Sequence, residues 1–235
     1  MILLDKVRFD YEAMRMVFDL EVERGEFLAV IGPSGAGKST LMSLIAGFET
    51  PLAGDIRLDG RDMAGVLPAD RPVSMVFQDH NTFAHLDLWT NVALGISPRL
   101  RLSEAERRLV DGALERTGLA SLARRRPGEV SGGEHQRVAI ARALVRDKPI
   151  LLLDEPFAAL GPALRRDMLD LLRGLQAEKG FTIMLVSHHP EDARYAAQRT
   201  AFLSDGRIVA VGPTEEILAR NDIAEISAYL GDWSS

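Results

Sequence analysis

The stretch Gly32-Pro33-Ser34-Gly35-Ala36-Gly37-Lys38-Ser39-Thr40 decides how this chain is read. The apolar run Phe27 to Ile31 precedes it and reads as a buried strand; Leu41 to Ala46 follows and reads as helix. A strand, a glycine-rich turn of the form GxxxxGK[ST] and a helix together make a phosphate-binding loop. Its glycines let the backbone curl until successive N–H groups face an anion, and the helix adds its positive end. Lys38 supplies a compact cation for the β- and γ-phosphates, and the Ser39 hydroxyl is a ligand for Mg²⁺. The stretch therefore implies a nucleoside triphosphate site.

The length of the chain suits one large domain or two small ones. Its 235 residues are 46% hydrophobic and 26% charged, enough for a substantial core. A net charge of −6 argues against nucleic acid as the main partner. With no cysteine there are no disulfides or thiolate metal sites, which suits a reducing cytosol. MILLDKVRFD has no signal-peptide core, and no run reaches the length of a membrane span, so the expectation is a soluble chain that meets a membrane only through a partner.

Upstream of the loop, Ile2 to Phe9 and Met16 to Val22 read as strands with Tyr11 between them. Tyr11 is either a half-buried aromatic or a platform for an adenine ring. Downstream, Asp55 to Leu58 reads as a strand before an Asp59-Gly60 turn. Val73 to Phe77 reads as another, ending at Gln78. Ligands of open α/β sheets sit beyond strand carboxyl ends, so Gln78 is either an ordinary polar terminus or a group for Mg²⁺ or the attacking water.

Residues 86 to 146 read as mostly helical. Ser103-x-x-Glu106 is a capping box, and Leu109, Val110, Ala113, Leu114 and Thr117 share one face before Gly118. Arg124-Arg125-Arg126 reads as a solvated helix end, and Ser131-Gly132-Gly133-Glu134-His135-Gln136-Arg137 opens a further apolar helix. Ile150 to Leu153 is an apolar strand ending in Asp154-Glu155, Pro162 to Glu178 is helical, and Thr182 to Val186 is a strand running into Ser187-His188-His189. A hairpin, Thr200 to Ser204 with Arg207 to Val211, and helices Thr214 to Arg220 and Asp222 to Leu230 complete the reading. Asp154 is placed to hold the Mg²⁺ shell, and Glu155 to polarise water for in-line attack on the γ-phosphate, which makes the reaction hydrolysis. His188, at another strand end, is a candidate γ-phosphate sensor.

GPSGAGKST, Gln78, SGGEHQR, ILLLDEP and His188, in this order, resemble an ABC-transporter ATPase subunit over essentially the whole chain. That resemblance implies a RecA-like phosphate-loop core (1–85 and 148–235) with a mainly parallel sheet and an N-terminal antiparallel β element, and an inserted helical subdomain (86–147). It implies ATP and Mg²⁺ as cofactors, Tyr11 stacking on adenine, Asp154 assisting Mg²⁺, Glu155 as catalytic base and His188 as γ-phosphate switch. Ser131, Gly132 and Gly133 would be the signature motif facing the phosphate held by another copy in a head-to-tail, ATP-dependent homodimer. Residues 79 to 92, with Phe83, Leu86 and Trp89, would dock an integral-membrane permease, served indirectly by a periplasmic binding protein, on the cytoplasmic face of the bacterial inner membrane.

MVFDLEVERGEF, RPVSMVFQDHNTFAHLDLWTNVALG and SPRLRL resemble, more narrowly, the ATPases of bacterial thiamine importers, which implies thiamine or a phosphate ester of it as cargo, with importers of iron, sulfate or polyamines as the alternative. A weakly hydrolysing nucleotide-sensing module is a further alternative, because two residues depart from the family pattern. Glu134 stands where glutamine is usual, and its spacing from Ser131 makes a capping box. Gly161 stands where aspartate is usual and is expected to lower basal hydrolysis. A nucleic-acid-handling ATPase would carry coiled coils, zinc cysteines or basic patches, and none is visible.

Overall fold

The computed structural model describes residues 1–11, 14–77 and 82–231. In chain order the strands are β1 (Ile2–Tyr11), β2 (Met14–Val22), β3 (Phe27–Ile31), β4 (Ala53–Leu58), β5 (Arg61–Asp62), β6 (Val73–Val76), β7 (Ile150–Asp154), β8 (Thr182–Val186), β9 (Arg199–Ser204) and β10 (Arg207–Pro213). They form one sheet in the order β5-β4-β1-β2-β10-β9-β3-β8-β7-β6. From β9 through β3, β8 and β7 to β6, neighbours run parallel. At the other end, β1 pairs antiparallel with β2 and with β4. The mainly parallel core and the N-terminal antiparallel element expected from the sequence are both present.

β3, β7 and β8 are buried along their whole lengths. Strands covered on both faces need continuous apolar runs, and FLAVI, ILLLD and TIMLV supply them until the terminal Asp154. β2 instead alternates buried and exposed positions, as a strand with one wet face does.

Helices cover the faces: α1 (Lys38–Ala46), α2 (Leu88–Ala93), α3 (Glu104–Arg116), α4 (Gly132–Leu144), α5 (Pro162–Lys179), α6 (Pro190–Ala196), α7 (Thr214–Leu218) and α8 (Ala224–Gly231). α1 buries Leu41, Met42, Leu44 and Ile45 against β1, β2 and the inner face of the sheet. α5 lies on the opposite face with Phe157, Phe181 and part of α4. α2, α3 and α4 share a separate apolar cluster of Leu88, Val92, Val110, Leu114 and Val138. Ser103 caps α3 through a full capping box with Glu106, as the spacing predicts. Among the described residues, no helix is long and apolar enough to cross a membrane.

Some local expectations differ. The 86–146 stretch is broken by irregular segments between α2, α3 and α4. Leu109, expected on the buried face of α3, is 55% exposed, because that face is narrow and is filled by Val110, Ala113 and Leu114. β5 and α6 are too short to carry a periodic signal, and the sequence reading lacks both. Tyr11 closes β1, paired with Met14, instead of lying between strands.

Candidate active site

Three strand ends of the parallel core converge on one side of the sheet. β3 delivers the phosphate loop, β7 delivers Asp154 and Glu155, and β8 delivers His188, with β3–β8 and β8–β7 as direct neighbours. The crevice beyond strand carboxyl ends is where such sheets take ligands. Here it holds a cavity of about 590 Å³ lined by Tyr11, Met14, Met16, Ser34, Gly35, Gly37, Lys38, Ser39, Thr40, Glu155 and His188.

The loop needs glycine at its entry. Gly32 has φ +147°, and a Cβ there would lie 1.9 Å from the Leu203 carbonyl oxygen. Gly37, at φ +103°, is the N-cap of α1 and carries no capping side chain, so the first turn of the helix faces the cavity without a built-in anion. Lys38 Nζ donates to the carbonyls of Gly32 and Pro33, each at 2.8 Å. Burial lowers the Lys38 ammonium from its ordinary range, while Glu155 and Asp154 pull it back up. The ammonium is thus held at the mouth of the loop, poorly solvated and close to both acids.

Asp154 is buried, and burial raises its carboxyl; the Ser39 hydroxyl, hydrogen-bonded to it, opposes the rise and Glu155 adds to it. Asp154 Oδ1 is buried and has no hydrogen-bond partner among the described residues. Glu155 turns out of the strand in the left-handed region, at φ +49°, with its amide on the Val186 carbonyl at 3.1 Å. A left-handed residue other than glycine is strained and tends to occur at functional sites. This turn directs the Glu155 carboxylate to His188 Nε2 at 2.5 Å.

The turn that carries His188 is tied down from behind. Ser187 Oγ donates to buried Asp192 at 2.6 Å and accepts from the His189 amide at 3.0 Å. Arg165 on α5 lies 3.8 Å from Asp192 and donates to the Phe157 carbonyl at 3.1 Å, joining this turn to the segment after Glu155. The sequence reading passed over Arg165 and Asp192, because each acts through loops far away in the chain. It also passed over Met14 and Met16, although the alternation in β2 places both on one face.

Tyr11, 57% exposed, stands on the cavity wall. Ala36 is buried beneath the loop, and its carbonyl accepts from the Gly206 amide. Gln78 lies outside the described residues. Ser131, Gly132 and Gly133 do not line the cavity. They start α4, where Gly133 packs on Leu160 and Gly132 on Ala159. Glu134 closes its capping box: its carboxylate accepts from the Ser131 amide at 2.6 Å and from the Ser131 hydroxyl at 2.8 Å. These bonds hold the Glu134 carboxyl below the usual range.

Residues 16–158 match the family model described as ABC transporter. The chain is 52% identical over 228 residues to the thiamine import ATP-binding protein ThiQ of Mesorhizobium japonicum, covering 97% of this chain and 90% of that one. It is 48% identical over 231 residues to ThiQ of Shigella boydii, covering 98% and 99%. Among solved structures, the dimeric post-hydrolysis state of the ATP-binding cassette MJ0796, bound to ADP and Pi, superposes with a TM-score of 0.82 at 30% identity, over 91% of this chain and 99% of that one. The cbiO1 subunit from Clostridium perfringens, part of the ABC transporter complex cbiONQ, superposes with a TM-score of 0.82 at 29% identity, over 94% and 91%. Together with the strand–loop–helix geometry and the acids beside Lys38, these matches place the chain in the ABC transporter family, as an ATP-binding subunit whose chemistry is ATP hydrolysis.

Proposed function

We propose that this chain powers thiamine uptake by hydrolysing ATP at the cavity between the loop and β7 while a separate membrane permease carries the cargo. The observation that carries the hydrolytic part is the placement of Glu155 and Asp154 next to the Lys38 ammonium. The thiamine assignment is supported by the ThiQ proteins, which match over nearly the full chain at about half identity.

In this reading the loop of residues 32–40, through the N–H groups of residues 34–40, and Lys38 hold the β- and γ-phosphates, and Tyr11 stacks on the adenine with Met14 and Met16 beside it. Glu155 orients and deprotonates the attacking water, and His188 contacts the γ-phosphate. The residues fit Mg²⁺, since the Asp154 carboxyl is hydrogen-bonded to the Ser39 hydroxyl and keeps one buried oxygen with no partner among the described residues. Ser39, Asp154 and Gln78 would hold the ion, which draws charge from the phosphate oxygens. Ser131, Gly132 and Gly133 would complete the site of a second copy in a head-to-tail dimer. The α2–α4 region, with its own apolar cluster, would be the inserted helical subdomain (86–147) between the two core segments. Exposed Phe83 would belong to the permease-docking face on the cytoplasmic side of the membrane.

The test is growth of a thiamine auxotroph lacking this gene. The native chain is expected to restore growth at limiting thiamine and Glu155→Gln is not. Restoration by Glu155→Gln would reject coupling to hydrolysis. A thiamine uptake rate unchanged by the deletion, with uptake of another solute lost, would reject the cargo.

A further inference from the structure

The C-terminal helix reaches the active site. α8 rests on Ile31, Phe202 and Ile217 through the fully buried Ile226, and the Tyr229 ring meets Phe202 edge-to-face at 5.5 Å. From this seat the Tyr229 hydroxyl donates to the His188 carbonyl at 2.8 Å. That carbonyl belongs to the same peptide unit as the His189 amide, which is bonded to Ser187 Oγ. One rigid peptide plane is therefore held at both ends: by α8 on the oxygen side, and by the Ser187–Asp192 pair on the nitrogen side. The orientation of this plane sets the backbone from which the His188 side chain reaches Glu155.

We propose that Tyr229 is a positioning residue for His188: by fixing the His188–His189 peptide it keeps the imidazole aimed at Glu155 and the γ-phosphate. The inference rests on the role given to His188 above. Burial pushes the Tyr229 hydroxyl up to about 12, against a hydrogen bond from the Gly32 backbone, so the group stays a donor throughout the working range. The contact therefore does not switch with pH; it is a fixed strut between the end of the chain and the catalytic turn.

A double-mutant cycle in steady-state ATP hydrolysis tests this. Tyr229→Phe keeps the ring and removes only the hydroxyl. It is expected to lower kcat about fivefold, with KM for ATP within twofold and Tm within about 2 °C of native. In a His188→Ala background the same change is expected to have no further effect. Ile226→Val, which loosens α8 and leaves the hydroxyl in place, is expected to lower Tm while kcat stays within twofold. A native-like kcat for Tyr229→Phe, or a rise in KM instead, overturns the inference and leaves His188 in its role. The same holds for a loss that persists without His188, and for a kcat loss in Ile226→Val as large as that in Tyr229→Phe. A native-like kcat for His188→Ala overturns both.

Discussion

Lys38 concentrates the electrostatics of the site. Its ammonium is taken out of water, donates to two carbonyls of its own loop and lies near two carboxylates. A terminal phosphate entering the cavity gains a poorly hydrated cation, which is worth more there than at the surface. Lys38→Ala is expected to lower hydrolysis on the order of 10²-fold in a steady-state assay, as loss of one charge-stabilising group does; a near-native rate would contradict its role. Gly161 is the second decisive residue. It is the N-cap of α5 at φ −67°, makes no side-chain cap, and has open space where a Cβ would stand. Aspartate fits there without strain and would cap the helix, adding a few tenths of a kcal/mol. Gly161→Asp is expected to raise Tm slightly and to speed basal ATP hydrolysis; an unchanged or slower rate would contradict the reading of Gly161 as a brake. The phosphate loop and the acid pair were legible because their chemistry is written in contiguous residues. Tyr229 was not, because its partner lies 41 positions away and only packing brings them together.

The elements that were legible are those with one strong cause. β3, β7 and β8 are fully buried, so their sequences are uninterrupted apolar runs and their ends fall where the first polar residue appears. α3 announced itself by its capping box, yet its apolar face was drawn too wide, and Leu109 is in fact exposed. The C-terminal end of α1 shows what local reading misses. Arg71, buried in the turn before β6, donates to the Leu44 and Ile45 carbonyls at 2.9 and 2.8 Å, and to Met63 and Val66. It satisfies carbonyls left over at the helix end and places a cation at the negative pole. Nothing next to Arg71 in sequence indicates this, since its acceptors come from the end of α1 and from the 63–66 turn. Arg71→Ala removes all four of these charge-assisted hydrogen bonds from a buried site, with an expected loss of roughly 3 kcal/mol. Thermal unfolding followed by circular dichroism should show Tm lower by roughly 6–12 °C; a shift under 2 °C would refute this account of the α1 terminus.

At the scale of the whole molecule, the sheet topology gathers most of the machinery at one end and leaves one part elsewhere. Strand ends of β3, β7 and β8 bring the loop, Glu155 and His188 to a single cavity, with Asp154 buried at the end of β7. The Ser131–Gly133 turn opens α4 beside Ala159 and Leu160 instead, outside that cavity. The family resemblance implies that separation, and the packing of α4 on the segment after Glu155 is its physical cause. A glycine-rich helix N-terminus is suited to an anion, and a second copy's phosphate is the one that the proposed dimer would bring to it. In the proposed dimer ATP would be the joint between two copies, and blocking its hydrolysis should leave the joint in place. The most direct measurement is the mass of Glu155→Gln by size-exclusion chromatography with light scattering, with and without ATP. A doubling of mass on adding ATP is the predicted result; a monomer that binds ATP without associating would contradict the account.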